Sequence, residues 1–480
     1  MLSFELPLPF NLDINVIALA DVLAAAAVTA HVLLKKQDVR AAIGWIGLAW
    51  LSPIIGSILY YLFGINRVTR RAARLSTGEV GARLAPTDAA PSSSESSLPA
   101  NITAVAQAGD RLTSNPLVDG NAISLFCSGD EAYLAMLNVI AAARYSVALS
   151  SYIFRLDRIG RRFIDALQQA RERGIEVRIL VDGIGSGYVL SSVVRELRRA
   201  DIPVARFMHN WLPWRMPFLN MRNHKKLLIV DGRIGFMGGL NIGAENLRRR
   251  YRGAPVEDIH FRVDGPVVSQ LMRTFAEDWI FTTGESLQGI RWWPEIARTG
   301  QILARGISSG PDEDLGNLET ILAAAIAAAK QKFRIVTPYF LPDQRLLFAI
   351  ELAVLRGVKI EIVLPRQSDH RLLDWAVQAH LGFFAVPGVA VYLSSTPFDH
   401  SKLATADGIW CAFGSANWDI RSLRLNFEFM LETYGSAIAS EIDRVIDGKI
   451  ARAQLLALPD GRSLPTRLRD GAARLLLPYL

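Results

Sequence analysis

Only two cysteines, Cys127 and Cys411, occur in the 480 residues. They make no disulfide framework and stand at no metal-ligand spacing. Cys411 lies between Trp410 and Ala412 in an apolar run, so both read as reduced core thiols. Clusters of carboxylates or histidines at ligand spacing are missing too, so no metal and no cofactor is expected. No lysine or arginine precedes the first long apolar run, which argues against a cleaved signal peptide. Acidic residues are outnumbered, and the net charge of +7 suits an anionic partner, lipid headgroups or nucleic acid. Half of the residues are hydrophobic, more than a soluble enzyme usually carries, which points to a membrane-embedded part.

That part is N-terminal. Asn15 to Leu34 is almost wholly apolar and ends at Lys35-Lys36. Ala41 to Gly64 is a second apolar run, closed by Arg67, Arg70, Arg71 and Arg74. As one helix the second run would be about 36 Å long, enough to cross a hydrocarbon core of roughly 30 Å. Pro53 predicts a kink in it rather than a break, and Trp45, Trp50, Tyr60 and Tyr61 serve as interfacial anchors. Residues 1–70 are therefore expected to form a transmembrane helical hairpin. The basic residues after the second run outnumber Lys35, Lys36 and Arg40 in the short loop, which favours a cytoplasmic N-terminus and a cytoplasmic large domain. Residues 71–112, rich in Ala, Ser, Pro and Gly, read as a flexible linker.

Beyond the linker, helical and strand patterns alternate, which predicts an α/β fold with a mixed sheet. The pattern runs twice, over residues 113–290 and 291–480. Arg173-Gly174-Ile175 and Arg356-Gly357-Val358 are matching helix stops before strands, and Tyr152-Ile153-Phe154 matches Tyr339-Phe340-Leu341. Two copies of one unit are expected to pair about a pseudo-two-fold axis.

Each copy carries His, Lys two residues on and Asp five after that: His224, Lys226, Asp231 and His400, Lys402, Asp407. Gly239 and Asn241, then Ser415 and Asn417, follow at the same offsets. Asp231-Gly232 signals a two-residue hairpin turn. That turn would pair Lys226 with Met237, His224 with Gly239 and His400 with Ser415, leaving room for a ligand beside each imidazole. Alternation along the strands then puts His, Lys and Asn of each copy on one face. Two His, two Lys and two Asn suit a tetrahedral phosphoryl group. Lysines and amides meet the oxygens, one His attacks phosphorus, and the other protonates the leaving alcohol. Asp231 and Asp407 fall in the turns, where geometry gives them a structural role. Asp258 and Glu428 each follow their motif His within the same half, and an orienting role on the imidazole is expected of them. His260, His370 and His380 read as hydrogen-bonded structural residues. Residues 211–219 read as an acyl-chain groove or membrane-contact loop. Arg467 to Leu480 reads as a basic amphipathic helix.

These duplicated motifs resemble the signature of the phospholipase D superfamily. Leu51 to Gly64, Gly238 to Ile242, Thr337 to Pro342 and Arg421 to Glu428 are similar to segments of its bacterial cardiolipin synthases. The resemblance implies a duplicated phospholipase D-like domain and a phosphohistidine intermediate without a metal, with His224 as nucleophile and His400 as acid and base. It implies transfer of a phosphatidyl group between two phosphatidylglycerol molecules, giving cardiolipin and glycerol, at a bacterial cell membrane. It also places His, Lys and Asp of both motifs in the active site, to which the strand geometry adds Asn241, Asn417, Gly239 and Ser415 at the substrate. Gly239 stands where many members have Ser. A phospholipase D-type hydrolase would use the same residues, with water in place of the alcohol. The membrane hairpin argues against a nuclease, and the intact motifs against a scaffold without activity.

Overall fold

The computed structural model describes residues 14–36, 39–64, 98–187, 190–209, 221–248, 254–311, 314–380, 387–456 and 462–475, and it divides into two units. In the first, α1 (Ile14–Lys35) is the one described helix long and apolar enough to cross a membrane. The second apolar run is not one helix. It breaks into α2 (Val39–Leu51) and α3 (Pro53–Leu59), followed by a π-helical turn over Tyr60–Gly64. The ring of Pro53 pushes Ser52 out of the helical region, to φ −147° and ψ 79°. The chain then turns so tightly that a Cβ on Gly56 would come 2.4 Å from the Leu48 carbonyl. The expected kink is therefore a break, made possible by a glycine four residues past it. Ala25, Val28 and Val32 of α1 pack against Ala49 and Tyr60, and Trp50 Nε1 donates to Thr29 Oγ1 at 3.1 Å.

The second unit is built on one sheet of fifteen strands. Its N-terminal side comprises β1 (Val118–Phe126), β2 (Ser146–Ser151), β3 (Glu176–Asp182), β4 (Val204–Phe207), β5 (Leu227–Val230), β6 (Ile234–Gly238) and β8 (His260–Asp264). The C-terminal side comprises β9 (Ile302–Ser309), β10 (Lys332–Val336), β12 (Lys359–Pro365), β13 (Val389–Ser394), β15 (Leu403–Ala406), β16 (Trp410–Gly414), β18 (Glu428–Tyr434) and β19 (Ala453–Leu455). The order is β4-β3-β2-β5-β6-β8-β1 and then β9-β18-β16-β15-β10-β12-β13-β19. Read outward from the β1/β9 junction, both sides run through equivalent strands, and β19 is an addition at one edge. Two short parallel pairs lie outside this sheet: β7 (Val256–Glu257) with β14 (Phe398–Asp399), and β11 (Phe340–Leu341) with β17 (Trp418–Asp419).

Local chemistry sets the repeated helices. α6 (Arg158–Glu172) starts where Asp157 accepts from the Ile159 and Gly160 amides, and α10 (Gln344–Leu355) starts where Asp343 accepts from Arg345 and Leu346. Gly174 and Gly357, at φ +81° and +87°, stop them at equivalent points. Between α3 and α6 lie α4 (Ala100–Leu112) and α5 (Gly129–Ala142). Then come α7 (Ser192–Arg199), α8 (Val268–Thr283) and α9 (Asn317–Ala328), and, after α10, α11 (Arg371–His380), α12 (Ile420–Arg424), α13 (Ser436–Ile450) and α14 (Leu464–Leu475).

The sheet curls onto itself. Phe261 on β8 stacks on Phe413 of β16 with ring centroids 3.8 Å apart, although three strands separate them in the order. A flat sheet would hold those strands about 19 Å apart. This curl brings the two motif-bearing hairpins face to face.

The expected linker is shorter than its composition suggests. Residues 65–97 lie outside the described set, but Ala100–Leu112 is helical. Ile102, Val105 and Ala106 at helical spacing bury into the core formed by Leu303, Leu318, Ile326 and Phe333. Arg305 fastens the helix: its buried guanidinium donates to the Ala106 carbonyl at 2.7 Å, meets Asp110, and pairs with Glu432 at 2.6 Å. At the far end, α14 docks through Ala473 onto Ala376 of α11.

Arg305→Met strands a buried carboxylate, so it should cost about 3–5 kcal/mol. Denaturant unfolding of the detergent-solubilised protein measures this, and adding Glu432→Gln to the same chain should restore part of the loss.

Candidate active site

The motif turns differ from expectation by one residue. Asp231 and Gly232 do form the turn, at φ +53° and +62°, but Val230 pairs with Ile234, which leaves Arg233 as a bulge. Ala406 likewise pairs with Trp410 across Asp407, Gly408 and Ile409. The slip takes Gly239 and Ser415 away from the imidazoles they were expected to oppose. A Cβ on Gly239 would instead come 2.1 Å from Asp258 Oδ1, so glycine there makes room for a carboxylate and not for a ligand. Ser415 donates from Oγ to Glu428 Oε2 at 2.6 Å. Neither lines the central cavity.

The turn carboxylates hold the scaffold. Asp231 accepts from the amides of Arg144, Tyr145 and Ser146 at 2.6–3.1 Å. Asp407 accepts from Lys330, Gln331 and Lys332 at 2.7–2.9 Å. Each clasps its hairpin to the start of the neighbouring strand, β2 or β10. Neither lines the cavity.

His224 and His400 precede their strands, and each is held by the opposite half. The His224 amide donates to the Phe427 carbonyl at 2.9 Å, and the His400 amide to Glu257 at 2.7 Å. The ring partners cross in the same way. His224 Nδ1 meets Glu428 Oε2 at 3.0 Å, and His400 Nδ1 meets Asp258 Oδ2 at 2.7 Å. Each carboxylate meets an imidazole Nδ1, but that of the histidine of the other half. The short pairing of β7 with β14 carries Asp258 to His400, and the bridge from Asn223 to Phe427 carries Glu428 to His224.

With Nδ1 so engaged, each ring keeps Nε2 for the cavity that both imidazoles line, their centroids 6.4 Å apart. The cavity measures about 360 Å³. Asn241 and Asn417 line it, and Asn417 Oδ1 is buried without a hydrogen bond. Lys226 and Lys402 sit behind the imidazoles and do not form its wall: each Nζ donates to the carbonyl of its own motif histidine, Lys226 at 2.6 Å. Arg222, Arg421, Tyr152, Tyr339, Asp369 and His370 also line the cavity and were not among the expected site residues. Arg222 stands two residues before His224, and Tyr152 and Tyr339 already marked matching places in the two copies. Those signals, each ambiguous alone, could have found them. His370 is thus a cavity residue, while His260 is buried with neither ring nitrogen hydrogen-bonded. Residues 210–220, which include all of the expected acyl-groove loop, lie outside the described set.

Burial sets the electrostatics. It lowers His224 to about 4 against the pull of Glu428, and it lowers His400, helped by Lys402 and opposed by Asp258. Burial also brings Lys226 down to about 7 and Lys402 to about 8. Burial works against the Glu428 carboxylate as well, but His224 and Lys226 more than offset it and hold it below the usual range. In the free enzyme at neutral pH the His224 imidazole is thus neutral, with a lone pair available for attack. A bound phosphate anion would stabilise the charged form of every cation around it. Among the described residues no group of His, Cys, Asp and Glu could hold a metal ion.

The lysines predict a pH profile. Their pKa values lie below the ordinary lysine value, so charge is present at low pH and lost as pH rises through about 7 and 8. kcat/KM should therefore fall on the alkaline side with apparent values in that range, while kcat, which reports the anion-bound enzyme, falls later. Lys226→Arg keeps its charge and should move the kcat/KM limb upward.

Comparison with known proteins agrees with this geometry. A family model described as cardiolipin synthase, phospholipase D-like domain, matches residues 136–279 and again 322–449. Cardiolipin synthase A of Pseudomonas fluorescens is 33% identical over 458 residues, covering 94% of this chain and 95% of that protein. Cardiolipin synthase 1 of Bacillus anthracis is 29% identical, covering 94% of this chain and 91% of its own. Among solved structures, phosphatidylserine synthase of Haemophilus influenzae has a similar fold, with TM-score 0.61 at 15% identity, over 78% of this chain and all of that one. Each matched stretch contains one complete His-Lys-Asp motif, and the chain belongs to the cardiolipin synthase family of phospholipase D-like proteins.

Proposed function

We propose that the protein is a phosphatidyltransferase that makes cardiolipin and glycerol from two molecules of phosphatidylglycerol. One observation carries the reading: two imidazoles, each fixed through Nδ1 by a carboxylate of the other half, offer their Nε2 atoms to one cavity. His224 Nε2 attacks the phosphorus of the donor. A bond forms from nitrogen to phosphorus while the bond to the glycerol headgroup breaks; His400, protonated on Nε2 once the bound anionic donor and Asp258 stabilise its charged form, gives that proton to the leaving oxygen. His400 then takes the proton from a hydroxyl of the second lipid, which displaces His224 and completes the transfer. Lys226 and Lys402 supply positive charge close behind the imidazoles, and Asn241 and Asn417 supply amides on the cavity wall. No step requires a cofactor.

The mirrored strand order supports treating residues 113–290 and 291–480 as two halves related by a pseudo-two-fold axis. In our reading α1 spans the membrane, and α2 with α3 forms the returning limb of a hairpin. The basic residues that follow favour a cytoplasmic catalytic unit at the bacterial inner membrane. The partners are then anionic phospholipid and membrane, with no nucleic acid.

Purified protein incubated with phosphatidylglycerol in micelles should yield cardiolipin and glycerol by mass spectrometry. Phosphatidic acid without cardiolipin would sink the transferase reading. His224→Ala and His400→Ala should each lower turnover by at least ~10²–10⁴, and denaturing-quench trapping at alkaline pH, where the P–N bond survives, should find the phosphorus of the donor on the His224 peptide. The crossed carboxylates add a sharper expectation. Glu428→Gln, although it lies in the second half, should slow phosphorylation of His224 in the first by about 10²–10⁴.

A further inference from the structure

The reacting groups obey the duplication, but the cavity around them does not. His224 and His400, Asn241 and Asn417, Tyr152 and Tyr339 are equivalent pairs, and all six line it. Other wall positions break the symmetry. Arg222 stands two residues before its motif histidine, and the equivalent position before His400 is Phe398. Arg421 stands four residues after Asn417, and the equivalent position after Asn241 is Glu245, which pairs with Arg155. After β3 the wall is supplied by Ile184, in a loop of Gly183 to Gly187; after β12 it is supplied by Asp369 and His370.

These differences sort to two flanks. Beside His224, Tyr152 packs edge-on at 4.9 Å, Lys226 Nζ lies 5.4 Å from the Tyr152 ring, and Arg222 and Arg421 are close enough to repel each other. Beside His400, Phe398 lies at 5.8 Å and Tyr339 at 6.4 Å from Phe398. The Tyr339 hydroxyl donates to Asp369 Oδ1, and the His370 ring lies 6.4 Å from Tyr339. One flank sets Arg222, Arg421 and Lys226 against the two buried carboxylates Asp182 and Asp419, three cationic side chains to two acidic ones. The other is aromatic and ends in a carboxylate.

An anionic phosphodiester is drawn to the first flank and repelled from the second. A glycerol headgroup is neutral and offers only hydroxyl donors to a carboxylate, which accepts such bonds strongly. In an in-line displacement the headgroup must depart on the side away from the nucleophile, and the incoming hydroxyl must arrive there. With His224 attacking, that side is the His400 flank.

We infer that Asp369, backed by Tyr339, forms the subsite for the glycerol headgroup of phosphatidylglycerol, holding its free hydroxyls so that the reacting oxygen lies at His400. This rests on the transferase reading for the acceptor, but the same subsite acts on the donor when its headgroup leaves. A hydroxyl bonded to a carboxylate is worth about ten- to a hundredfold in rate or affinity.

The test uses full-length enzyme in mixed micelles with two donors, phosphatidylglycerol and phosphatidyl-p-nitrophenol, whose leaving group has no polyol. Asp369→Ala should lower kcat/KM for phosphatidylglycerol about ten- to a hundredfold more than for the nitrophenyl donor. Asp369→Asn, which keeps one acceptor oxygen, should recover part of the difference, and Tyr339→Phe should show the same preference more weakly. Equal losses on both donors, or no loss on phosphatidylglycerol, would overturn the assignment. The donor comparison reads headgroup release and needs no cardiolipin. A wild-type enzyme that yields only phosphatidic acid would therefore defeat the transferase reading while still testing Asp369.

Discussion

Everything in the active site depends on two hydrogen bonds that cross between halves, Glu428 to His224 and Asp258 to His400. A buried imidazole pays a desolvation cost when it charges, and here both are held below their ordinary range. A fixed carboxylate at Nδ1 compensates when charge is needed and fixes which nitrogen faces the substrate. Since each carboxylate comes from the other half, neither half contains a working histidine. The sheet curl, the Phe261–Phe413 stack and the short β7–β14 pairing serve this one alignment.

The crossing also explains Gly239. Its partner Asp258 is one methylene shorter than Glu428, and its carboxylate lies where a Cβ at position 239 would be. In the other half the longer Glu428 stands off and takes a hydroxyl from Ser415. The Gly/Asp and Ser/Glu pairs are two solutions to the same problem, each complete in itself.

Much of this was legible in the sequence, for physical reasons that can be named. Period-two runs, Arg-Gly helix stops and a motif repeated at fixed offsets are local signals, and they gave the α/β duplication, the paired histidines and the structural place of Asp231 and Asp407. Long-range pairing is not local. Which half's carboxylate meets which imidazole is decided by β7 against β14, strands of two residues with no pattern of their own. The bulged residues Arg233 and Ile409 look like ordinary strand starts, yet each slips a register. α4 hid in an alanine-rich stretch because its burying partners lie some two hundred residues further on. The wall residues Arg222, Asp369 and Arg421 stand far apart in the chain, and the fold gathers them around one cavity.

That placement of α4 bears on how the chain is born. Asn101 bonds to the carbonyl of Ala328, 227 residues later, and the helix has its core partners between Leu303 and Phe333. On a ribosome adding 5–20 residues per second, roughly 10–45 s pass between the emergence of the helix and that of its docking site. Through that interval β1 also waits for β9. The first half leaves the ribosome early but cannot close its sheet until the second half starts to appear, so assembly of the catalytic unit is timed by its C-terminal side.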